Sequence, residues 1–372
     1  MNILFISNLY PAYPDHSVRE ISYALHNFVK IWKKSHNIIV FRPYFIPSRV
    51  TYKIEECFEL DGVKIFNIPI FRIPKTQVYF SNEAYKKIKK IGFVPQKVIA
   101  HMSSSFLWSW KLSMKYKADF IVGIHNSDLI RINFSKYDKI FQNSYKIACR
   151  SDGVKKHFMD IFSKYKNKVF VANSGIDVSE IENTDFFIEK IDSWKNKKQI
   201  NFLTVAVLQK LKNIDINLRV FSELKKYNWE YTIIGDGEEK ENLMVLSDKL
   251  GIKEKVKFVG MKTRKEVMNY MKNSDVFLMV SAPETFGLAY LEAMAKANII
   301  IGAKNWGIDG VILNNQNGFL CNPRDEEDIK SVIIKLFNSD VSFKKDILIK
   351  MEDTIRLFTD EKVAESYIKN II

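Results

Sequence analysis

Two glutamates, Glu284 and Glu292, stand with seven residues between them in the run Pro283-Glu284-Thr285-Phe286-Gly287-Leu288-Ala289-Tyr290-Leu291-Glu292-Ala293-Met294. The apolar segment 276–280 before them reads as a buried strand, and the alanine-rich segment 285–296 as the helix that follows. The first carboxylate then falls where strand gives way to helix, and the second about two turns further in. A helix N-terminus presents unpaired N–H groups and the positive end of its dipole, which suits a phosphate. Carboxylates beside it can accept hydrogen bonds from sugar hydroxyls. A ligand that joins a diphosphate to sugars answers to both parts. In isolation the same pair also fits two solvated positions on a surface helix, so the weight falls on the rest of the chain.

A diphosphate needs neutralising charge, and Lys212 is the candidate. It follows the apolar run Phe202-Leu203-Thr204-Val205-Ala206-Val207 by a short loop. Gly235-Asp236-Gly237 closes the next apolar run and Gly260 the one after it. Both read as turn glycines that supply positive φ or close backbone approach, and Gly235 is a candidate to line the ligand edge. In the first half, His101 follows Val98-Ile99-Ala100 and His125 follows Ile121-Val122-Gly123-Ile124. After His125 comes Asn126-Ser127-Asp128, a polar loop suited to holding the ring tautomer or binding a hydroxyl. His16, His26, His36 and His157 fall in helical or loop settings and read as structural.

Other chemistries lack their residues. Ser7-Asn8-Leu9-Tyr10-Pro11 follows the first strand in place of Gly-x-Gly-x-x-Gly, and there is no Gly-x-x-x-x-Gly-Lys-Ser/Thr loop. No two Asp are separated by one residue. The expectation is a diphosphate held by lysine and backbone N–H groups, with no metal and no cofactor.

The elements that must position these residues alternate. Strands are expected over 3–7, 37–41, 63–66, 97–101, 120–124, 146–149 and 169–171, with helices over 21–34, 83–90, 106–116 and 153–162. Runs rich in Ile, Val and Phe, separated by helical segments, argue for a parallel sheet covered on both faces. A polar stretch over 177–199 interrupts the pattern, which then restarts. Strands follow over 200–207, 231–235, 256–260, 276–280 and 299–302, with helices over 215–226, 239–250, 264–272 and 285–296. The fold class is therefore α/β, two doubly wound Rossmann-like domains facing across a cleft, with ligands at the carboxyl ends of the strands. The expected division is an acceptor-side domain over 1–180, a linker over 181–199, a donor-binding domain over 200–355, and a C-terminal helix over 356–372 that packs back on the first domain.

A chain of 372 residues exceeds one compact core, in agreement with two domains. No apolar run reaches the ~18–20 residues that cross a bilayer, and the first residues begin a strand without a secretory leader. Cys57, Cys149 and Cys321 are isolated, so neither a disulfide framework nor a zinc site is indicated. A cytoplasmic protein is expected. The net charge of +14 is one-sided: residues 1–200 hold 32 Lys and Arg against 18 Asp and Glu, while residues 201–372 hold 25 of each. That imbalance favours an acidic partner for the first half, such as a phosphorylated lipid or the inner face of an anionic membrane. A solvated basic face in a lysine-rich protein is the plain alternative. Nucleic acid is not expected, because no helix-turn-helix, zinc finger or RNA-binding aromatic signature accompanies the charge.

In this order and spacing the motifs resemble those of the family 4 retaining glycosyltransferases, over nearly the whole chain and most strongly over 201–322. The family's Glu-x7-Glu is similar to Glu284 and Glu292, with Phe286-Gly287 between them. Its lysine-bearing loop is similar to Val205-Ala206-Val207-Leu208-Gln209-Lys210-Leu211-Lys212-Asn213, and its His-Gly-Ser-Asp-like segment to His125-Asn126-Ser127-Asp128. Asn-Gly-x-Asp is similar to Ser174-Gly175-Ile176-Asp177, and the second glycine-rich turn to Gly302, Gly307 and Gly310 followed by Asn317-Gly318-Phe319.

The resemblance implies the GT-B architecture. It also implies a retaining, metal-independent hexosyltransferase that moves a sugar from a nucleotide-diphosphate sugar to a lipid-linked or saccharide acceptor in bacterial surface polysaccharide biosynthesis. Glu292 would accept from ribose hydroxyls, and Glu284 would bind hydroxyls of the transferred sugar. Lys212 and the N–H groups of Phe286, Gly287 and Leu288 would hold the diphosphate as leaving-group charge develops. His125, with Asn126 and Asp128 beside it, would contact the sugar or the acceptor. The implied reaction is front-face, with the leaving phosphate taking the acceptor's proton.

There are departures from the pattern. Ala206-Val207 replaces the Gly-Arg that usually precedes the lysine, leaving Lys210 or Arg150 as substitute cations. The Gly-Gly loop after the first strand is missing, and the glutamate often found after the second glycine-rich turn is Asp309 or absent. An epimerase of the same fold and a non-catalytic sugar-nucleotide or lipid-binding module are the competing readings.

Overall fold

The computed structural model describes residues 1–14, 16, 23–46, 54–73, 79–131 and 134–372. Two compact units emerge: Met1–Arg150 with Val154–Gly175 and Asp360–Ile372, and Ser151–Gly153 with Ile176–Thr359.

The first unit is built on β1 (Asn2–Ile6), β2 (Asn37–Ile46), β3 (Cys57–Leu60), β4 (Val63–Arg72), β5 (Tyr79–Phe80), β6 (Lys97–His101), β7 (Asp119–Ile124), β8 (Lys146–Cys149) and β9 (Val169–Val171). Their order is β3-β4-β2-β1-β6-β7-β8-β9, with β5 on β4. From β4 to β9 the neighbours are parallel, as strands buried on both faces require. The outer pairs β3–β4 and β4–β5 are antiparallel. Strand β3 is absent from the expected set, although Asp61-Gly62 signals it: both residues take positive φ, 49° and 74°, and close a two-residue hairpin. The expected helix over 21–34 begins partly outside the described residues; its described part is Ala24–Trp32.

The C-terminal helix, Asp360–Ile371, belongs to this unit. Trp32 Nε1 donates to Ala364 O at 2.8 Å and Asn27 Nδ2 to Asp360 Oδ2 at 2.9 Å. Tyr367 is fully buried among Phe28, Trp32 and Phe170. Residues 356–359 stay with the second unit, so the return of the chain begins later than the expected 356–372.

The second unit is built on β10 (Ile200–Val205), β11 (Trp229–Ile234), β12 (Val256–Gly260), β13 (Val276–Met279), β14 (Ile299–Ala303) and β15 (Phe319–Cys321), all parallel in the order β12-β11-β10-β13-β14-β15. The expected linker over 181–199 is not one. Asn183 caps a helix, Thr184–Ser193, by accepting from Phe186 N, and Phe187, Ile191 and Trp194 enter the core of this unit. Some of the polar residues that suggest a linker, Thr184, Asp185, Glu189 and Asp192, form the exposed face of that helix, while Glu182 and Lys197 pair with Lys296 and Asp275.

Each sheet reverses its winding once. The first does so between β1 and β6, the second between β10 and β13. Loops leaving the carboxyl ends of strands at such a point diverge and leave a crevice.

Candidate functional site

In the second unit the loops after β10 and β13 meet at the reversal point. Asn213, at φ 52°, donates through Nδ2 to Val280 O at 2.7 Å, and Ala282 N donates to Leu211 O at 2.9 Å. These two bonds place Lys212 against Glu284, with Nζ to Oε2 at 2.7 Å and each side chain 16% exposed. Ser281 Oγ donates to the same carboxylate oxygen at 3.2 Å. Sequence spacing separates these residues by 72 positions; the sheet brings them into one ion pair.

The helix after β13 runs Leu288–Ala295 and starts later than the expected Thr285. Gly287 takes φ 82° and stands at the N-cap, which breaks helical continuity and leaves Glu284 in the preceding loop. Glu292 therefore lies little more than one turn into the helix. The first N–H groups, at Leu288 and Ala289, have no intrahelical acceptor and are open to an anion. Phe286 is buried and anchors the loop. Gly307 lets a second loop close on it: its N–H donates to Glu284 O at 3.2 Å, and a Cβ there would lie 2.7 Å from Phe286 O. Gly287 is equally tight, since a Cβ would lie 2.7 Å from the Tyr290 ring.

Glu292 is held by a residue that sequence reasoning missed. Arg264, the first residue of the helix Arg264–Asn273, donates Nη1 to Glu292 Oε1 at 2.6 Å and Nη2 to Glu180 Oε2 at 2.7 Å. Burial acts to lower the pKa of its guanidinium, but Glu292 and Glu180 outweigh that and raise it. Its signal was its place in the first turn after the Gly260 loop, one strand away from the glutamate pair. Of the two proposed substitute cations, Arg150 is buried in the first unit on Ala172 O and Ser174 Oγ, while Lys210 is exposed and 3.7 Å from Asp215. Gly235, at φ 137°, is demanded by packing: a Cβ would lie 1.8 Å from Ala206 O, where the loops after β10 and β11 touch.

In the first unit, Asn126–Arg131 is a short helix and not the expected polar loop. Asp128 is fully buried and accepts backbone N–H groups from Ser103 at 2.7 Å and His125 at 2.9 Å, so it holds the main chain at the ends of β6 and β7 and not the imidazole. The His125 ring instead meets His101, Nε2 to Nδ1 at 3.0 Å. Asn126 is buried beside them. Burial, with the Arg150 cation adding to it, lowers the pKa of His125 from 6.5 to about 3. It is a neutral imidazole throughout the physiological range.

Comparison with known proteins agrees with this geometry. Residues 185–350 match the family model described as glycosyl transferases group 1. An uncharacterized glycosyltransferase of Methanocaldococcus jannaschii is 24% identical over 302 residues, covering 75% of this chain and 77% of the relative. The alpha-monoglucosyldiacylglycerol synthase of Acholeplasma laidlawii is 30% identical over 177 residues, 46% of this chain and 44% of the relative. Among solved structures, Anabaena HepE in complex with UDP superposes with a TM-score of 0.74 at 14% identity, covering 100% of this chain and 99% of that one. Two Rossmann-like units of this kind make the GT-B fold. The match to the group 1 glycosyl transferases spans residues 185–350, and with its glycosyltransferase relatives it makes the chain a glycosyltransferase.

Proposed function

We propose that the chain is a retaining, metal-independent transferase that moves a sugar from a nucleotide-diphosphate sugar to a lipid-linked or saccharide acceptor in surface glycolipid or polysaccharide assembly. The observation that carries the reading is the Lys212–Glu284 pair at the reversal point of the second sheet, beside the open N–H groups of Leu288 and Ala289. Lys212 and those N–H groups take the diphosphate, and Glu292, oriented by Arg264, takes the ribose hydroxyls. Glu284 takes hydroxyls of the transferred sugar, and His125 contacts that sugar or the acceptor. Gly235 lets the loops after β10 and β11 meet, Asn126 lies next to His125 as a further contact for the substrate, and Asp128 anchors the His125 main chain.

In the front-face step, the anomeric carbon–oxygen bond to the diphosphate breaks and the acceptor oxygen bonds to the same face of that carbon. The departing phosphate oxygen takes the acceptor's proton. Lysine and helix N–H groups stabilise the charge that develops on the leaving group, more strongly than in the ground state. Metal independence rests on the absence of any Asp-x-Asp in the sequence and on this set of donors.

A lipid acceptor is supported by the Acholeplasma relative, whose name is that of a glycolipid synthase, and by the surface of the first unit. The helix Asn82–Lys90 carries Lys86, Lys87, Lys89 and Lys90, and Ile91 and Val94 beyond it are exposed. Basic side chains next to exposed apolar ones suit an anionic membrane surface. No helix among the described residues is long and apolar enough to cross a membrane. The test is transfer from radiolabelled uridine-diphosphate sugars to vesicles containing diacylglycerol, with neutral or anionic carrier lipid, and to free saccharides. Labelled glycolipid or oligosaccharide with the donor's anomeric configuration supports the proposal. Epimerised sugar formed without acceptor, inverted product, or no turnover across donors overturns it.

A further inference from the structure

The first unit contains a buried polar chain that the chemistry above leaves unexplained. His125 Nε2 meets His101 Nδ1 at 3.0 Å, and His101 Nε2 meets the Tyr367 hydroxyl at 3.1 Å. All three side chains are buried, and Tyr367 arrives from the C-terminal helix, 266 positions from His101. Space is kept for the central ring. Gly123 faces His101 in the β6–β7 register, and a Cβ there would lie 2.2 Å from His101 Nδ1. Phe5 stacks on the other side of that ring at 5.3 Å. Glycine weakens the interior of a strand, so its presence here answers to the imidazole.

Such a chain can run in either of two directions. In one, Tyr367 O–H donates to His101 Nε2, His101 Nδ1–H donates to His125 Nε2, and the His125 proton sits on Nδ1. In the other, every bond is reversed and His125 Nδ1 is a bare acceptor. A phenol is a better donor than acceptor, and a bare imidazole nitrogen is a strong acceptor, which favours the first. Burial raises the pKa of Tyr367 and the Arg150 cation acts the other way, which keeps a proton on the phenol while strengthening it as a donor to His101. Burial, followed by His125 and Arg150 for His101 and by Arg150 for His125, keeps both rings neutral, so each has a single proton to place.

We propose that Tyr367, acting through His101, fixes His125 in the tautomer protonated on Nδ1, so that His125 meets its substrate as a hydrogen-bond donor to a sugar or phosphate oxygen and not as a base. Tyr367 and His101 are positioning residues, and the substrate contact itself rests on the reading of His125 given above.

The experiment is nitrogen–proton NMR of the full chain labelled at its six histidines, with His125 assigned by the His125→Asn variant. His125 is expected to be protonated on Nδ1 and bare on Nε2, unchanged between about pH 6 and 8. Tyr367→Phe removes one oxygen and keeps the ring packing. It is expected to give a mixture of tautomers, and to lower kcat about 10-fold with the nucleotide-sugar KM within about 2-fold. A wild-type His125 protonated on Nε2 overturns the inference, and so does a Tyr367→Phe variant with unchanged tautomer and kcat. Should that variant not fold, the wild-type spectrum decides alone. If the tautomer is as stated but His125→Asn transfers sugar at the wild-type rate, the substrate contact fails while the relay stands.

Discussion

The ion pair at the centre of the second unit leads to an unusual expectation: removing a site carboxylate should tighten nucleotide binding. Lys212 Nζ lies 2.7 Å from Glu284 Oε2, so in the free protein the cation proposed to bind a diphosphate is already engaged. At that separation the Coulomb attraction is about 6 kcal/mol for an effective dielectric of about 20. Desolvation and the partial exposure of both groups offset most of it, leaving a net worth of order 1 kcal/mol. A diphosphate that recruits Lys212 must replace this contact and tolerate the remaining carboxylate.

Glu284→Gln abolishes both penalties, and the affinity for uridine diphosphate should rise about 5-fold. Transfer should nevertheless fall, because the amide no longer accepts from two sugar hydroxyls at once. Lys212→Ala should act oppositely on binding, weakening the diphosphate about 10-fold or more by loss of a charge-assisted bond. It should also destabilise the unit by about 1–3 kcal/mol, because Glu284 keeps its charge in a half-dry setting. Isothermal calorimetry with uridine diphosphate, alongside urea unfolding, separates the two effects. Unchanged or weaker diphosphate binding by Glu284→Gln would refute the competition. Full affinity in Lys212→Ala would remove Lys212 from the site.

The remaining expectations concern the groups behind the site. Arg264→Gln should release Glu292 and weaken uridine diphosphate about 3- to 10-fold while leaving inorganic pyrophosphate unaffected, since pyrophosphate has no ribose. An equal loss for both ligands in calorimetry would assign Arg264 to the phosphates instead. Acid should destabilise the first unit through its histidines. The His125 value is about 3 in the folded chain against 6.5 ordinarily, so below 6.5 the unfolded chain binds a proton that the folded one does not. Stability is thus retained above pH 6.5 and lost as pH falls toward 3, by about 2 kcal/mol from His125 between pH 6.5 and 5. His101 and His26, also lowered mainly by burial, act in the same direction. Urea unfolding at these two pH values measures it; a flat profile, or one unchanged in His125→Asn, would contradict the buried neutral state.

Much of this protein is written locally. Runs such as Ile299-Ile300-Ile301 are apolar in every position, as strands covered on both faces are, so their alternation with helical segments indicates the parallel part of both sheets but not the antiparallel pairs β3–β4 and β4–β5. Glu284, Lys212 and His125 stand out as candidates because they follow the carboxyl ends of those strands, where ligands gather, and Glu292 because it lies on the helix just beyond. Errors arose where a local pattern has two physical meanings. The polar stretch over 177–199 contains a helix because Phe187, Ile191 and Trp194 find a core to enter, and a helix of that length gains most of its stability from such packing. The helix after β13 starts at Leu288 because Gly287 sits at φ 82°, a backbone choice that composition permits but does not require.

Partnerships between residues far apart in sequence come from the three-dimensional arrangement. Lys212 with Glu284, Arg264 with Glu292 and Glu180, and Tyr367 with His101 and His125 are each set by strand order and by where a late helix returns. Strand order is settled by long-range burial, which no window of sequence contains. Residue types and spacing therefore pointed to a diphosphate and a sugar as ligands, and the fold decided which cation each carboxylate faces and which groups the His125 ring meets.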